Sequence, residues 1–284
     1  MKVDFVEIGT SDFNTEIEKA QDYQHGISIE AVSYYHNKLP KKENVITHHL
    51  AISDVEGECS ISYVDPEIIH SLHGSHMWMK GCNKIDVDHP LLTSFLLHNN
   101  LKKHEVLITE KVKKRPLLPV LSEDTVTGIY YLKIDTEGHD VVILRKFLYD
   151  ISFLPRLLPH MIMFESNTNI PTVEVDHMIE KLQEFGYVVM NRGEDTIVRL
   201  QLPRCNAYTF TTVFENYYIQ NYPNNYDPNN LPHPNTIQGA KEYCRNHNCS
   251  GVTFQDGRYE VRSGPWLLPV PEHFVKSVRS WAFV

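Results

Sequence analysis

From residue 4 to about residue 202, short apolar runs alternate with stretches whose apolar residues recur every three or four positions, the pattern of a parallel sheet wrapped by helices. Five runs have the length of buried strands: residues 4–8 (DFVEI), 26–30 (GISIE), 45–50 (VITHHL), 129–134 (IYYLKI) and 161–165 (MIMFE). Helices are predicted over 15–23, 140–148 and 173–185. In the last of these Val175, Met178, Ile179, Leu182 and Phe185 share one face, and Gly186 ends it. Residues 187–190 and 196–200, on either side of a polar turn with Gly193, predict a closing antiparallel hairpin.

Two segments break the rhythm. Residues 55–123 mix His, Gly, Asn and Pro and read as a long insertion, expected to act as a lid or substrate loop. After Leu202, Asn and Pro accumulate in NYPNNYDPNNLPHPN, which favours neither helix nor central strand, so 203–235 is read as a linker. Beyond it a helix is predicted over 236–247 and a hairpin over 250–264, turning at Asp256-Gly257, a pair suited to a type I′ turn. The expected organisation is a main domain over 1–202, a linker over 203–235 and a small α+β module over 236–284.

Composition narrows the function classes. The 284 residues are 42% hydrophobic and 22% charged, enough for a full core. The formal charge is -9, and the only dense basic run is residues 111–115, so no nucleic-acid partner is expected. No run approaches the roughly 20 apolar residues of a membrane helix. MKVDFVEIG enters a strand pattern too early for a signal peptide, so the expected location is cytoplasmic, with no membrane partner. Five cysteines form an odd, sparse set suited to reduced thiols. Cys244 and Cys249 fit that reading as core residues, or a disulfide in an oxidising compartment. His70, His73 and His76 lie in a polar stretch without a cysteine pair and read as solvated.

In an open parallel sheet, ligands bind at the carboxyl ends of the strands. Here those ends carry Glu7 to Asp12, Glu30-Ala31, Ile52-Ser53-Asp54, Asp135 to His139, and Glu165. So many carboxylates on one edge repel each other unless a ligand or its hydrogen bonds compensate them. An acid ending the second strand suits ribose hydroxyls, which is the role expected of Glu30. The first turn is GTSDF, with no glycine fingerprint for a pyrophosphate or triphosphate. A nucleoside without phosphates remains, and S-adenosylmethionine is the common cofactor of that description.

The blocks FVEIGTSDFNT, SIEAVSYY, AISDVEGE, WMKGCNKI, YYLKIDTEGHDVVIL and MFESN, in this order over residues 4–200, together resemble the FkbM-type methyltransferases. The resemblance implies a class I, Rossmann-like α/β fold: a seven-stranded, mostly parallel sheet with helices on both faces and one antiparallel strand near its edge. It implies an S-adenosylmethionine-dependent enzyme, with O-methylation of a sugar, glycan or other hydroxylated metabolite as the expected reaction. Carried over by position, Glu7, Gly9, Thr10, Ser11, Asp12 and Thr15 belong to the cofactor turn. Glu30 and Ala31 belong to the ribose end, Ile52, Ser53 and Asp54 to the adenine wall, and Asp135 to the methionine portion. Asp12-Phe13 stands where many relatives have a second glycine, so a side-chain contact is expected from Asp12 there.

Methyl transfer to a hydroxyl requires alignment and a base. Asp135, Glu137, His139 and Lys133 are the candidate catalytic residues, and Lys133 shares a strand face with Asp135. Trp78, Cys82, Asn83 and Glu165 are expected to face the acceptor. The residues demand no metal, although Asp135 and Glu165 are compatible with a divalent one. Two other readings are a non-catalytic glycan-binding protein with a degenerate methyltransferase fold and, from another enzyme class, an NAD-linked oxidoreductase. The missing glycine fingerprint argues against the latter.

Overall fold

The computed structural model describes residues 1–11, 14–72, 77–85, 89, 91–167, 169–201, 210–215, 217–219, 236–247, 249–270 and 278–283. The first part of the chain contains strands β1 (Lys2–Ile8), β2 (Gly26–Glu30), β3 (Val45–His49), β4 (Ala51–Ile52), β5 (Gly57–Val64), β6 (Lys84–Ile85), β7 (Leu107–Arg115), β8 (Gly128–Ile134), β9 (Met161–Glu165), β10 (Tyr187–Arg192) and β11 (Asp195–Leu200). Among them lie helices α1 (Glu16–Lys19), α2 (Ser33–His36), α3 (Pro66–Ser71), α4 (Leu92–His98), α5 (Lys103–Val106), α6 (Leu117–Glu123), α7 (Asp140–Asp150) and α8 (Thr172–Glu184). No helix among the described residues is long and apolar enough to cross a membrane.

Seven strands form one sheet in the order β10-β11-β9-β8-β1-β2-β3. β11 runs antiparallel to both neighbours, and the remaining pairs are parallel. The chain builds outward from β1 to β3, then returns to add β8 on the other side of β1. That reversal is a topological switch point, where the crevice of an open α/β sheet opens. Helices cover both faces. Val6 and Ile8 of β1 pack in the main core with Leu121 of α6, Leu144 of α7 and Leu182 of α8. Phe5, on the opposite face, packs with Ile17 of α1.

The insertion is a structured unit, with β4, β7, β5 and β6 making a second sheet in that order. It ends sooner than expected, because Leu117, Val120 and Leu121 of α6 belong to the main core. α1 is also shorter than the predicted helix over 15–23. Thr15 starts it with a capping box, but Ala20 turns extended (ψ 131°) after one turn and is buried with Ile17 against Phe5.

The tail holds β12 (Phe210–Glu215), β13 (Tyr217–Ile219), α9 (Ile237–Asn246), β14 (Gly251–Gln255), β15 (Arg258–Arg262), β16 (Leu267–Pro269) and β17 (Arg279–Phe283). β12 and β13 correct the reading of 203–235 as linker: β12 pairs with β17 and β13 with β16. The rest of that segment lies outside the described residues. The predicted β14–β15 hairpin turns at Asp256 (φ 50°) and Gly257 (φ 77°), the positive angles of a type I′ turn. α9 closes over it through Ala240 and Cys244, with Cys249, Val252 and Val261 beneath. Cys244 and Cys249 are both free thiols. The tail docks on the sheet through Tyr217, which packs with Tyr130 and donates its hydroxyl to Asp4 Oδ1 at 2.8 Å.

Candidate active site

The crevice at the switch point is a cleft. Its floor is the pair of turns after β1 and β8, which touch: Gly9 has φ +78°, and a β-carbon there would lie 1.9 Å from the Asp135 carbonyl oxygen. Its apolar side is formed by Ile29, Val32, Ile52, Ile61 and Ile85. Its polar end is formed by Lys133, Asp135, Thr136 and Glu137, with Asn83 and Lys84 of the insertion facing them.

Glu30 organises the first turn. Its Oε2 accepts from Thr10 N, Thr10 Oγ1 and Ser11 N, each at 2.9 Å, and its Oε1 accepts from Val32 N at 2.7 Å. Positive φ at Gly9 and Ser11 curls the backbone around the carboxylate. Burial raises the Glu30 pKa, against the pull of these donors. A carboxylate offers about four lone-pair sites, so Oε1 keeps room for one further hydroxyl.

Glu7 is fully buried and lies beneath the cleft rather than in its wall. Its carboxylate accepts from Lys133 Nζ at 3.1 Å and from Glu16 N, the first amide of α1, at 3.0 Å. Lys133 also lies 4.0 Å from Asp135 Oδ2, so one buried cation bridges a structural acid and a cleft acid. Lys133→Met is expected to cost about 3–5 kcal/mol, because it leaves Glu7 charged and unpaired in the interior. Chemical denaturation measures that loss.

Asp135 presents a side chain 44% exposed in the cleft. Desolvation, opposed by Lys133 and aided by Glu137, raises its pKa to about 6. Behind it the acids crowd. Burial and then the Glu137 charge lift Glu165 to about 7, and burial and then the Glu165 charge lift Asp140 to about 8. Asp140 is held by Thr136 N, Thr136 Oγ1 and Glu165 N. Glu165 Oε1 accepts from Asn167 and from Asn169, the latter at 3.1 Å.

Cys82, His89 and Glu137 bring ligand-type atoms within 4.8 Å of one another. Their hydrogen bonds favour a proton network over a metal centre. His89 Nδ1 accepts from Leu91 N at 3.2 Å, which puts the ring proton on Nε2, facing Glu137 Oε2 at 3.1 Å. Metal-bound histidines ordinarily donate from the other nitrogen. Burial and the charges of Glu137 and Glu165 push the Cys82 thiol up to about 12, far from a thiolate.

Of the residues expected from sequence, Gly9, Thr10, Ser11, Glu30, Ala31, Ile52, Asn83, Lys133, Asp135 and Glu137 line this cleft. Several others serve next to it. Thr15 is spent on the α1 cap, and Ser53 Oγ binds His139 Nε2 at 3.0 Å, turning that ring from the cleft wall. Asp54, Cys82 and Glu165 also lie outside the lining. Asp12 and the Trp78 side chain lie outside the described residues. The sequence reading missed Lys84, Ile85 and Ile61, although the first two sit in the WMKGCNKI block it had singled out.

A mostly parallel sheet with one reversed strand, opening a cleft at its switch point, defines an open α/β protein. The family model described as "Methyltransferase FkbM domain" matches residues 5–189, and the chain belongs to that family of methyltransferases. Neither a curated protein nor a solved structure matches it significantly.

Proposed function

We propose that the chain is an S-adenosylmethionine-dependent O-methyltransferase acting on a hydroxyl of a sugar, glycan or similar small metabolite. The observation that carries this reading is the cleft's division: an apolar slot between Val32, Ile52 and Ile85 runs into a polar end at Asp135 and Lys133. A flat heteroaromatic ring fits the first part and an amino-acid group the second. Glu30 Oε1, at the boundary, is open to one ribose hydroxyl. The sulfonium of the cofactor supplies an electrophilic methyl group. NAD fits less well, because Thr10 and Ser11 direct their amides to Glu30 instead of toward a pyrophosphate.

The chain's own residues then position the acceptor and receive its proton. Asp135 is the base this arrangement favours over His139, which is bonded to Ser53. A carboxyl with a pKa of about 6 is ionised at neutral pH yet basic enough to assist proton removal. Lys133 holds it in place, and Glu137 is fixed by His89 and Asn169 at the far side. The acceptor class comes from the family likeness rather than from the cleft.

Transfer of a labelled methyl group to a panel of sugars and hydroxylated metabolites tests the reading. With the acceptor found, the rate is expected to rise through pH 6 and level above pH 7 as Asp135 loses its proton. Asp135→Asn is expected to lower kcat by about 10²–10⁴ and abolish that rise. An unchanged profile in the variant would remove Asp135 from the role of base.

A further inference from the structure

An amino-acid group carries a carboxylate beside an ammonium, and both require partners where water is displaced. In the turns of the main domain several donors are already engaged, although Ser11 Oγ has no partner among the described residues. Gly9 N donates to Ile29 O at 3.0 Å, Asp135 N to Ile8 O at 2.9 Å and Thr136 N to Asp140 at 3.2 Å. The Thr10 and Ser11 amides point at Glu30. Lys133 is neutralised by Glu7 and Asp135.

Lys84 is differently placed. It is carried by β6, which pairs with β5 of the insertion, and it lines the cleft. Its Nζ sits over the turn after β8: a β-carbon built on Gly138 would lie 3.2 Å from it. Among the described residues it has no ion-pair or hydrogen-bond partner. A cation in the cleft without a counter-ion among the described residues complements the carboxylate of a zwitterion.

We propose that Lys84 reads the amino-acid half of the cofactor, its Nζ taking the carboxylate. The inference rests on the S-adenosylmethionine reading above. It makes the insertion a cofactor-binding element.

Titration of the wild-type chain, Lys84→Met and Lys84→Arg with S-adenosylhomocysteine and with 5′-methylthioadenosine, which keeps the nucleoside and sulfur but lacks the amino-acid half, tests it. Lys84→Met is expected to weaken S-adenosylhomocysteine by about ten- to a hundredfold and to leave 5′-methylthioadenosine within about twofold, with Lys84→Arg recovering most of the loss. Unchanged S-adenosylhomocysteine affinity in Lys84→Met overturns the assignment, as does an equal loss for both ligands, which marks Lys84 as a structural residue. A wild type that binds the two equally tightly overturns this inference alone. A wild type that binds neither overturns the cofactor reading with it.

Discussion

Gly9→Ala is expected to lower the thermal midpoint by about 10 °C or more and to abolish binding of S-adenosylhomocysteine. The added carbon would meet the Asp135 carbonyl oxygen at 1.9 Å, and the φ of +78° disfavours any L side chain. Relief requires moving the β1 turn away from the β8 turn, which are the two halves of the cleft floor. Gly193→Ala is the control, since a β-carbon there meets nothing within 4 Å, and its expected effect is within about 0.5 kcal/mol. Equal midpoints for the two variants would show that the turns do not meet in this way.

Glu30→Ala is expected to cost at least about 3 kcal/mol, because it strips acceptors from the amides of Thr10, Ser11 and Val32 together. Thr10 and Val32 are buried, so water does not readily replace the carboxylate. The loss falls on the turn that shapes the cleft, and cofactor affinity is expected to fall with stability. Glu30→Gln keeps the shape but sets an amide nitrogen against backbone donors, and an intermediate effect is expected. Denaturation and ligand titration on the same samples measure both. Wild-type stability in Glu30→Ala would mean that Glu30 does not hold the turn.

The sheet was legible because buried parallel strands leave continuous apolar runs. All five runs are strands, with boundaries shifted by at most two residues. The tail hairpin was legible from Asp256-Gly257 alone. β12 was not, because its partner β17 is about seventy residues away and its neighbours are rich in Asn and Pro. The length of α1 was hidden for a related reason: its Thr15 cap is local, but its end is set by packing of Ala20 against Phe5.

The acids at the strand ends were also legible, but their division of labour was not. Glu7 and Glu30 look alike in sequence, each ending a strand. The structure gives Glu7 to Lys133 and to α1, and Glu30 to the turn amides. His139, in the motif beside Asp135, turns to Ser53, a contact across 86 positions that no local pattern signals. Lys84 was legible as a neighbour of Cys82 but not as a cleft residue, because a single lysine in an irregular stretch carries no periodicity. Its meaning comes from its place in the cleft lining.

The central claim is that this cleft binds a nucleoside cofactor bearing an amino-acid group and no phosphate. Isothermal titration of the wild-type chain with S-adenosylhomocysteine, in parallel with NAD, tests it most directly. The account predicts saturable binding of S-adenosylhomocysteine at one site per chain and no heat from NAD. Binding of NAD without S-adenosylhomocysteine would contradict it.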